Sequence, residues 1–386
     1  MRPLEGVRVL DLSRVVAGPV AGRILSDLGA DVVKVEPPEG DITRIWGEER
    51  HGVAGFFMQQ NAGKRNISID LRKPAGVQLV IDLAAKADMV IENFRGGVMD
   101  RMGIGWSVLS AANPKLVMCS ISGFGQTGPE AHRQAYASVI QAESGLVHRH
   151  ATLDGRSPTD PVTSFADYNA GLHGTIALLA ALHAARATNV GSHIDLAMLD
   201  SMMFTDDYLH HAIDDSELVR LGGEYWQTAD GNWFEIAGQF QFVWAKLKDA
   251  FDLVDPTPKD ADLEIKIASR RSIVGEFIAN LPDADAAIVM ANKAALPWGR
   301  YNSPEQALFT PTAVHRGIVT QVDDRAGGQR GIVQSPYRFN NYESGVKGSS
   351  PHQGEHNAEI LTDWLNTPPA TITQLQTDEV LLVQLQ

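Results

Sequence analysis

The sequence predicts an α/β fold with a parallel sheet and a second, smaller domain. Three observations predict it: apolar strand-like runs alternate with helix-like stretches, short connections join them, and 386 residues exceed one ordinary domain. With 44% hydrophobic and 21% charged residues, the chain has the composition of a globular protein with a large core.

The first half of the chain carries this pattern most clearly. Its predicted strands are the apolar runs at residues 7–12, 31–36, 88–92 and 116–121. A loop and then a helical stretch to about residue 28 join the first two strands, and Gly29 ends that helix. Pro74 begins another stretch of helical spacing. Because parallel strands need right-handed crossovers, this order predicts a doubly wound domain.

The second half begins with a long apolar helix, predicted from Ala170 to about residue 187. Residues 225–236 are typical of a β-hairpin, because Asp230-Gly231 is a turn dipeptide. The acidic, helical segment from about 240 to 310 indicates the second domain. Further short elements are predicted near residues 193–196, 317–322, 331–336 and 358–365.

Charge and cysteine content exclude several classes of protein. The net charge of −14 argues against a general nucleic-acid or membrane binder, so an anionic ligand would need a local basic pocket. The single cysteine, Cys119, excludes an internal disulfide and a multi-cysteine metal site. A first strand starting by Val7 leaves no room for a signal peptide, and the apolar stretch 175–187 is too short to span a bilayer. We therefore expect a cytoplasmic protein with no bound metal.

Two glycine-containing loops follow predicted strands. Ala17-Gly18-Pro19 follows the first strand, where α/β proteins bind ligands. The loop lacks the Gly-x-Gly-x-x-Gly spacing, and Glu36 only mimics the ribose-binding acid of a dinucleotide site, so a tight turn explains most of the pattern. Residues 92–97 (ENFRGG), with Arg101 close behind, fit a ligand loop and an ordinary strand-to-helix turn equally well.

A basic pair, Lys64-Arg65, is conspicuous in this acidic chain. Lysine and arginine beside a parallel sheet suit a phosphorylated ligand, because arginine binds phosphate in a bidentate fork. A solvated basic turn explains the pair equally well.

Asp167 precedes the long apolar helix and is predicted to be its N-cap. Most such residues only satisfy backbone donors. The same position would keep the carboxylate ionised, however, and an ionised carboxylate can attack an activated carbonyl. From the residues alone, the capping role is the better explanation.

Many ordered segments of the chain resemble one family, the family III (CaiB/BaiF-type) CoA-transferases. The similarity covers most of residues 3–210 and 310–365. The matching segments include residues 9–13 (VLDLS), 17–19 (AGP), 27–36 (DLGADVVKVE), 64–65 (KR), 70–72 (DLR), 92–95 (ENFR), 120–125 (SISGFG), 195–200 (DLAMLD) and 351–356 (PHQGEH), together with Asp167.

The resemblance implies a Rossmann-like large domain that binds coenzyme A, here 1–215 and 311–386, with a smaller α+β domain, 216–310, inserted in it. It also implies an intertwined homodimer. Its substrates would be an acyl-CoA and a carboxylic acid, with coenzyme A as a substrate moiety and no permanently bound cofactor.

Residue by residue, Asp167 falls where the family has its nucleophile, which forms an aspartyl-CoA intermediate. The positions that match family contacts to coenzyme A are Val15, Val16, Ile69, Asp70, Leu71, Arg72, Asn93, Phe94, Arg95, Arg101 and Tyr136.

The chain also departs from the family pattern. Gln134 stands where a basic residue is common, although Arg133 is adjacent, and Pro37 stands where some relatives have arginine. The small domain has Ala237-Gly238-Gln239 in place of a run of glycines.

Three alternatives stay open. An α-methylacyl-CoA racemase shares the fold, but such relatives carry a His-Asp pair where this chain has Tyr136-Ala137. A coenzyme A-binding protein without catalysis is disfavoured by Asp167. A dehydrogenase is disfavoured by the missing glycine fingerprint.

Overall fold

The computed structural model describes residues 1–218 and 222–382 of the chain. The chain divides into two compact units, Met1–His210 with His315–Gln386, and His211–Val314. We call them the large unit and the small unit. The division into functional domains at 1–215, 216–310 and 311–386, with coenzyme A bound by the large one, stays a prediction.

A six-stranded parallel sheet forms the centre of the large unit. Its strands are Arg8–Asp11 (β1), Asp31–Glu36 (β2), Arg65–Ser68 (β3), Met89–Glu92 (β4), Val117–Ser122 (β5) and Ser192–Ala197 (β6). They are ordered β3-β2-β1-β4-β5-β6, and every neighbouring pair is parallel. The chain winds from β1 to one edge and then from β4 to the other, so the winding reverses between β1 and β4. This confirms the predicted α/β fold with a parallel sheet.

One strand of the sheet, β3, was not predicted. It is short, and three of its four residues, Arg65, Asn66 and Ser68, are polar. Their side chains find partners far along the chain, such as Glu359 for Arg65 and Glu36 for Asn66. Local hydrophobicity therefore gave no signal for this strand.

Helices cover both faces of the sheet. Side chains alternate along each strand, so that Leu10 packs in one apolar cluster with Leu79 and Trp364, and Val9 in another with Leu25 and Leu178. Because both faces of the central strands β1, β4 and β5 are buried, these strands are rich in apolar residues.

The described helices are Ala17–Asp27 (α1), Gly55–Asn61 (α2), Pro74–Ala84 (α3), Val98–Arg101 (α4), Trp106–Ala112 (α5), Ala137–Glu143 (α6), Leu146–Asp154 (α7), Phe165–Thr188 (α8), Met198–Phe204 (α9), Leu209–Ile213 (α10), Phe240–Phe251 (α11), Leu263–Ala279 (α12), Ala284–Lys293 (α13), Pro304–Leu308 (α14), Pro311–His315 (α15), Asn357–Leu365 (α16) and Pro369–Thr377 (α17). A 3₁₀ helix spans Ile42–Ile45.

The small unit contains three antiparallel strands, Glu224–Gln227 (β7), Trp233–Ile236 (β8) and Trp298–Arg300 (β9), in the order β9-β8-β7. The predicted hairpin is confirmed as β7 and β8, with Gly231 at φ 82° in its turn. Phe234, Leu247 and Val274 belong to a separate apolar core. In the large unit, Val319–Asp323 (β10) and Gln329–Val333 (β11) lie close to two predicted short elements, and the structure pairs them as an antiparallel hairpin.

The long helix α8 begins at Phe165, five residues before the predicted start at Ala170. Ser164 is the N-cap, and Asp167 is the third residue of the first turn. The prediction that Asp167 caps this helix was therefore wrong. The polar segment before Ala170 has the composition of a loop, but it continues the helix.

Gly171 lies where α8 packs closely against α1. A Cβ atom at Gly171 would lie 2.8 Å from the Ala17 carbonyl oxygen and 2.9 Å from Val20 Cγ1. We expect Gly171→Ala to lower the free energy of unfolding by about 1–3 kcal/mol, because two packed helices would have to separate. Urea unfolding measures this. Gly348→Ala is the control, since a Cβ there would meet nothing within 4 Å. Equal stability of the two variants would contradict the prediction.

Candidate active site

A cavity of about 550 Å³ lies in the large unit, at the carboxyl ends of its central strands. The loop after β1 gives it Arg14 and Val15, and the loop after β4 gives it residues 93–95. Asp167 lines it from the first turn of α8. The other lining residues are Ile42, Val98, Ile121, Ser122, Gly123, Arg133, Gln134, Ala135, Tyr136 and Met198.

This cavity brings together Asp167 and several of the predicted contacts to coenzyme A, namely Val15, Asn93, Phe94, Arg95 and Tyr136. A second cavity of about 250 Å³ is lined by Asp70, Leu71 and Arg72. A third, of about 200 Å³, is lined by Arg95, Gly96, Arg101 and His132.

Two predicted contacts do not line any of these three cavities. Val16 is buried in an apolar cluster with Val20 and Ile24, and Ile69 is buried in the core beside the sheet. Their apolar side chains pack in the core, as expected of residues that flank a strand end.

The Asp167 carboxylate has no hydrogen-bond or ion-pair partner within residues 1–218 and 222–382. Burial raises the pKa of this carboxyl to about 7. Desolvation is the cause of this shift, and its direction is opposite to the ionisation that the start of a helix favours. An unpaired acid that titrates near neutral pH can take part in chemistry.

The loop between β1 and α1 has a fixed backbone. Val15 has a left-handed backbone, with φ 68°, and its N–H donates to Asp41 Oδ2 at 3.2 Å. Asn93 Oδ1 accepts from the Arg14 N–H at 2.7 Å, and Asn93 Nδ2 donates to the Arg14 carbonyl at 2.7 Å. Asn93 thus joins the two loops that line the cavity.

The Lys64-Arg65 pair is not a free phosphate-binding cluster, and that hypothesis was wrong. Lys64 is buried, and its Nζ donates to Asp11 Oδ2 at 2.8 Å and to Asn61 Oδ1 at 2.9 Å. Burial lowers the pKa of this lysine to about 8. Arg65 pairs with Asp31, and with two carboxylates of α16. Both cations stabilise the fold beneath the site.

Glu36 is also structural. Its carboxylate accepts from Arg44 Nη2 at 2.6 Å, from the Asp41 N–H at 2.8 Å and from Asn66 Nδ2 at 2.5 Å. Arg44 Nε also donates to it, and a buried acid with four donors is not available to a ribose hydroxyl.

Two residues near the site have roles that the sequence did not reveal. Glu92, at the end of β4, is buried and accepts from the Phe94 N–H at 2.7 Å, and burial raises the pKa of its carboxyl to about 7. It orients the loop that carries Phe94. Arg14 lines both the first and the second cavity. Its only sequence signal was a charge in the loop after a buried strand.

Within the described ranges, no group of three or more His, Cys, Asp or Glu residues is arranged to hold a metal ion. None of the helices there is long and apolar enough to cross a bilayer. Cys119 is buried in β5, and burial raises the pKa of its thiol to about 12.

Comparison with known proteins agrees with the geometry. The model of CoA-transferase family III matches residues 4–357. A succinate–glutarate CoA-transferase from Agrobacterium fabrum is 34% identical, over 96% of this chain and 98% of its own length. A succinyl-CoA–D-citramalate CoA-transferase from Chloroflexus aurantiacus is 32% identical, over 98% of each chain.

Among solved structures, a CaiB/BaiF family protein from Brucella suis superposes with a TM-score of 0.81. It is 32% identical, over 94% of this chain and 99% of its own. A sequence match over nearly the whole chain and a shared fold lead to the same assignment. The chain belongs to the family III CoA-transferases, and it is an enzyme that transfers coenzyme A between an acyl-CoA and an acid.

Proposed function

We propose that the transfer proceeds through a covalent aspartyl-CoA intermediate on Asp167. The observation that carries the proposal is an unpaired, half-buried carboxylate in the wall of the 550 Å³ cavity. A nucleophile for a thioester needs a free lone pair and access to the substrate, and Asp167 lines the cavity with a carboxylate that has no partner among the described residues.

The proposed chemistry needs no redox step. The Asp167 carboxylate attacks the thioester carbonyl, the carbon–sulfur bond breaks, and a mixed anhydride and the CoA thiolate form. The thiolate then attacks the aspartyl carbonyl, releasing the donor acid and leaving an aspartyl-CoA thioester. The acceptor carboxylate then attacks the aspartyl-CoA thioester, and a second mixed anhydride and the CoA thiolate form. The thiolate attacks the acceptor carbonyl of this anhydride, and the acceptor leaves as its CoA thioester. Asp167 returns as a carboxylate.

The three cavities support a path for coenzyme A along the carboxyl edge of the sheet. The walls of the second cavity include Pro37, Leu71, Phe94 and Met102, which suit a flat adenine ring. The residues proposed to contact coenzyme A are Val15, Val16, Ile69, Asp70, Leu71, Arg72, Asn93, Phe94, Arg95, Arg101 and Tyr136. For Val16 and Ile69, whose side chains are buried, the contact would be made by the backbone.

The substrates are a thioester donor and an acceptor acid. Relatives are named for succinyl-CoA with glutarate, D-citramalate or L-malate. We infer that this enzyme also uses a short dicarboxylic acid, and succinyl-CoA is the first donor to test.

A racemase would need an acid and a base on opposite faces of the substrate. Of the residues that line the main cavity within the described part of the chain, Asp167 is the only carboxylic acid and none is a histidine. Ala137, in the position of the racemase acid, is buried in α6. This lining favours the transferase.

The test is to trap the intermediate. Incubated with succinyl-CoA, the protein is expected to gain the mass of coenzyme A less one water, and hydroxylamine should leave a hydroxamate on the peptide that contains Asp167. A series of acyl-CoA donors that leaves Asp167 unmodified, while hydrogen exchanges at the acyl α-carbon, would favour the racemase instead.

We further propose an intertwined homodimer in the cytoplasm. Large apolar side chains on α8 and α9 are exposed, among them Leu172, Ile176 and Phe204, and a second copy of the chain would bury such a surface. Light scattering after size exclusion is expected to give twice the mass of the chain. A monomer would contradict this proposal without affecting the one on Asp167.

A further inference from the structure

We propose that Arg14 binds the diphosphate of coenzyme A. This inference rests on the proposed function. It assigns a role to a residue that is not among the coenzyme A contacts implied by the family resemblance. Among the described residues, Arg14 and Phe94 line both the main cavity and the second cavity. Arg14 therefore lies where one cavity meets the other.

The covalent order of coenzyme A determines what lies at such a junction. The second cavity has an apolar wall for the adenine, and the main cavity contains Asp167 for the thioester. Between adenosine and the pantetheine arm the molecule carries its diphosphate. An anion is thus expected where Arg14 lies.

The Arg14 guanidinium is ready for an anion. Its Nε is buried without a partner, and its Nη2 lies 3.4 Å from the Gly40 carbonyl oxygen, a long contact. It has no carboxylate partner among the described residues. Leaving a buried guanidinium nitrogen unpaired is costly, and a phosphate oxygen in this position would remove that cost.

The other arginines of the main cavity are less suited to this role. Arg133 already pairs with Glu130 and Glu143. Arg95 is exposed and donates to the His132 carbonyl oxygen at 3.3 Å. Arg14, in contrast, has its backbone held on both sides by Asn93, and Val15 is held by Asp41. A cation on a fixed backbone loses little entropy when it binds its ligand.

The test compares three probes, coenzyme A, 3′-dephospho-coenzyme A and pantetheine, in calorimetric titrations of the full chain. Arg14→Gln is expected to weaken binding of the first two by the same factor, about 10- to 100-fold, because both contain the diphosphate. Binding of pantetheine, which lacks it, should not change. Arg14→Lys keeps the charge and should recover part of the loss.

The matched control is Arg50→Gln, which removes an exposed arginine paired with Glu48 and should leave all three affinities unchanged. Arg14→Gln keeps the backbone bonds to Asn93 and removes the buried, unpaired Nε, so its unfolding midpoint should not fall below that of the wild type. A loss confined to coenzyme A would show a contact to the 3′-phosphate and overturn the inference. Unchanged binding of coenzyme A, together with a larger loss of transfer rate for dicarboxylic than for monocarboxylic acceptors, would also overturn it. A wild-type protein that binds none of the probes would overturn the proposed function, and this inference with it.

Discussion

Asp167→Asn is expected to lower kcat for coenzyme A transfer by at least about 1,000-fold, because an amide does not attack a thioester. The side chain keeps its size, so the cavity keeps its shape and the affinity for free coenzyme A should stay within about twofold of the wild type. Steady-state kinetics with succinyl-CoA and a dicarboxylic acceptor, together with calorimetry, measure both quantities. The adduct on residue 167 should also disappear.

Two variants sharpen this result. Asp167→Glu keeps the carboxylate but moves it by one methylene, and a misplaced nucleophile is expected to cost about 100-fold. Asp82→Asn removes an exposed acid of α3 that lies outside every described cavity, and it should leave kcat unchanged. An Asp167→Asn enzyme with more than a tenth of the wild-type kcat would contradict a role for Asp167 as nucleophile.

Strands β1, β2, β4 and β5 could be predicted from the sequence because they are buried on both faces. Runs such as residues 31–36 and 117–122 carry enough apolar residues to be recognised without knowledge of their neighbours. Strand β3 could not, since Asn66 and Ser68 are satisfied by residues of the C-terminal segment, Asn357 among them. The start of α8 was missed for a similar reason: its first turn is polar.

Of the site, the sequence predicted only that loops at the ends of strands would line it. Residues 93–95 and Asp167 line one cavity, and their roles there stay a prediction. The partners of charged side chains were not predictable. Lys64 is neutralised by Asp11, more than fifty positions away, whereas Arg14 has no carboxylate partner in the part of the chain that the structure describes. In the sequence, Lys64 and Arg14 are both cations near a loop. Only the fold shows that Lys64 is paired with a carboxylate, whereas Arg14, among the described residues, is not.

The raised pKa of Asp167 also makes the stability of the protein depend on pH. An acid whose pKa is raised by burial favours the folded state only while it is protonated. Its ordinary pKa, 3.8, applies to the unfolded chain, and about 7 to the folded one. As pH rises from the first value to the second, the unfolded state loses this proton before the folded state does, so the free energy of unfolding falls. Above pH 7 the free energy of unfolding is lowered by the full amount, because an ionised nucleophile is then held in a cavity.

Asp167→Asn removes this titration. We therefore expect the variant to be more stable than the wild type, with a difference in unfolding free energy that grows by about 2–3 kcal/mol between about pH 5 and pH 8. Urea unfolding at a series of pH values measures it, and Asp82→Asn should show no such growth. The kcat/KM of the wild type should rise through the same range, because the reactive form is the carboxylate. A stability difference that does not depend on pH would mean that Asp167 is already ionised in the folded protein. The nucleophile would then be stabilised by its surroundings, and not held there at a cost to the fold.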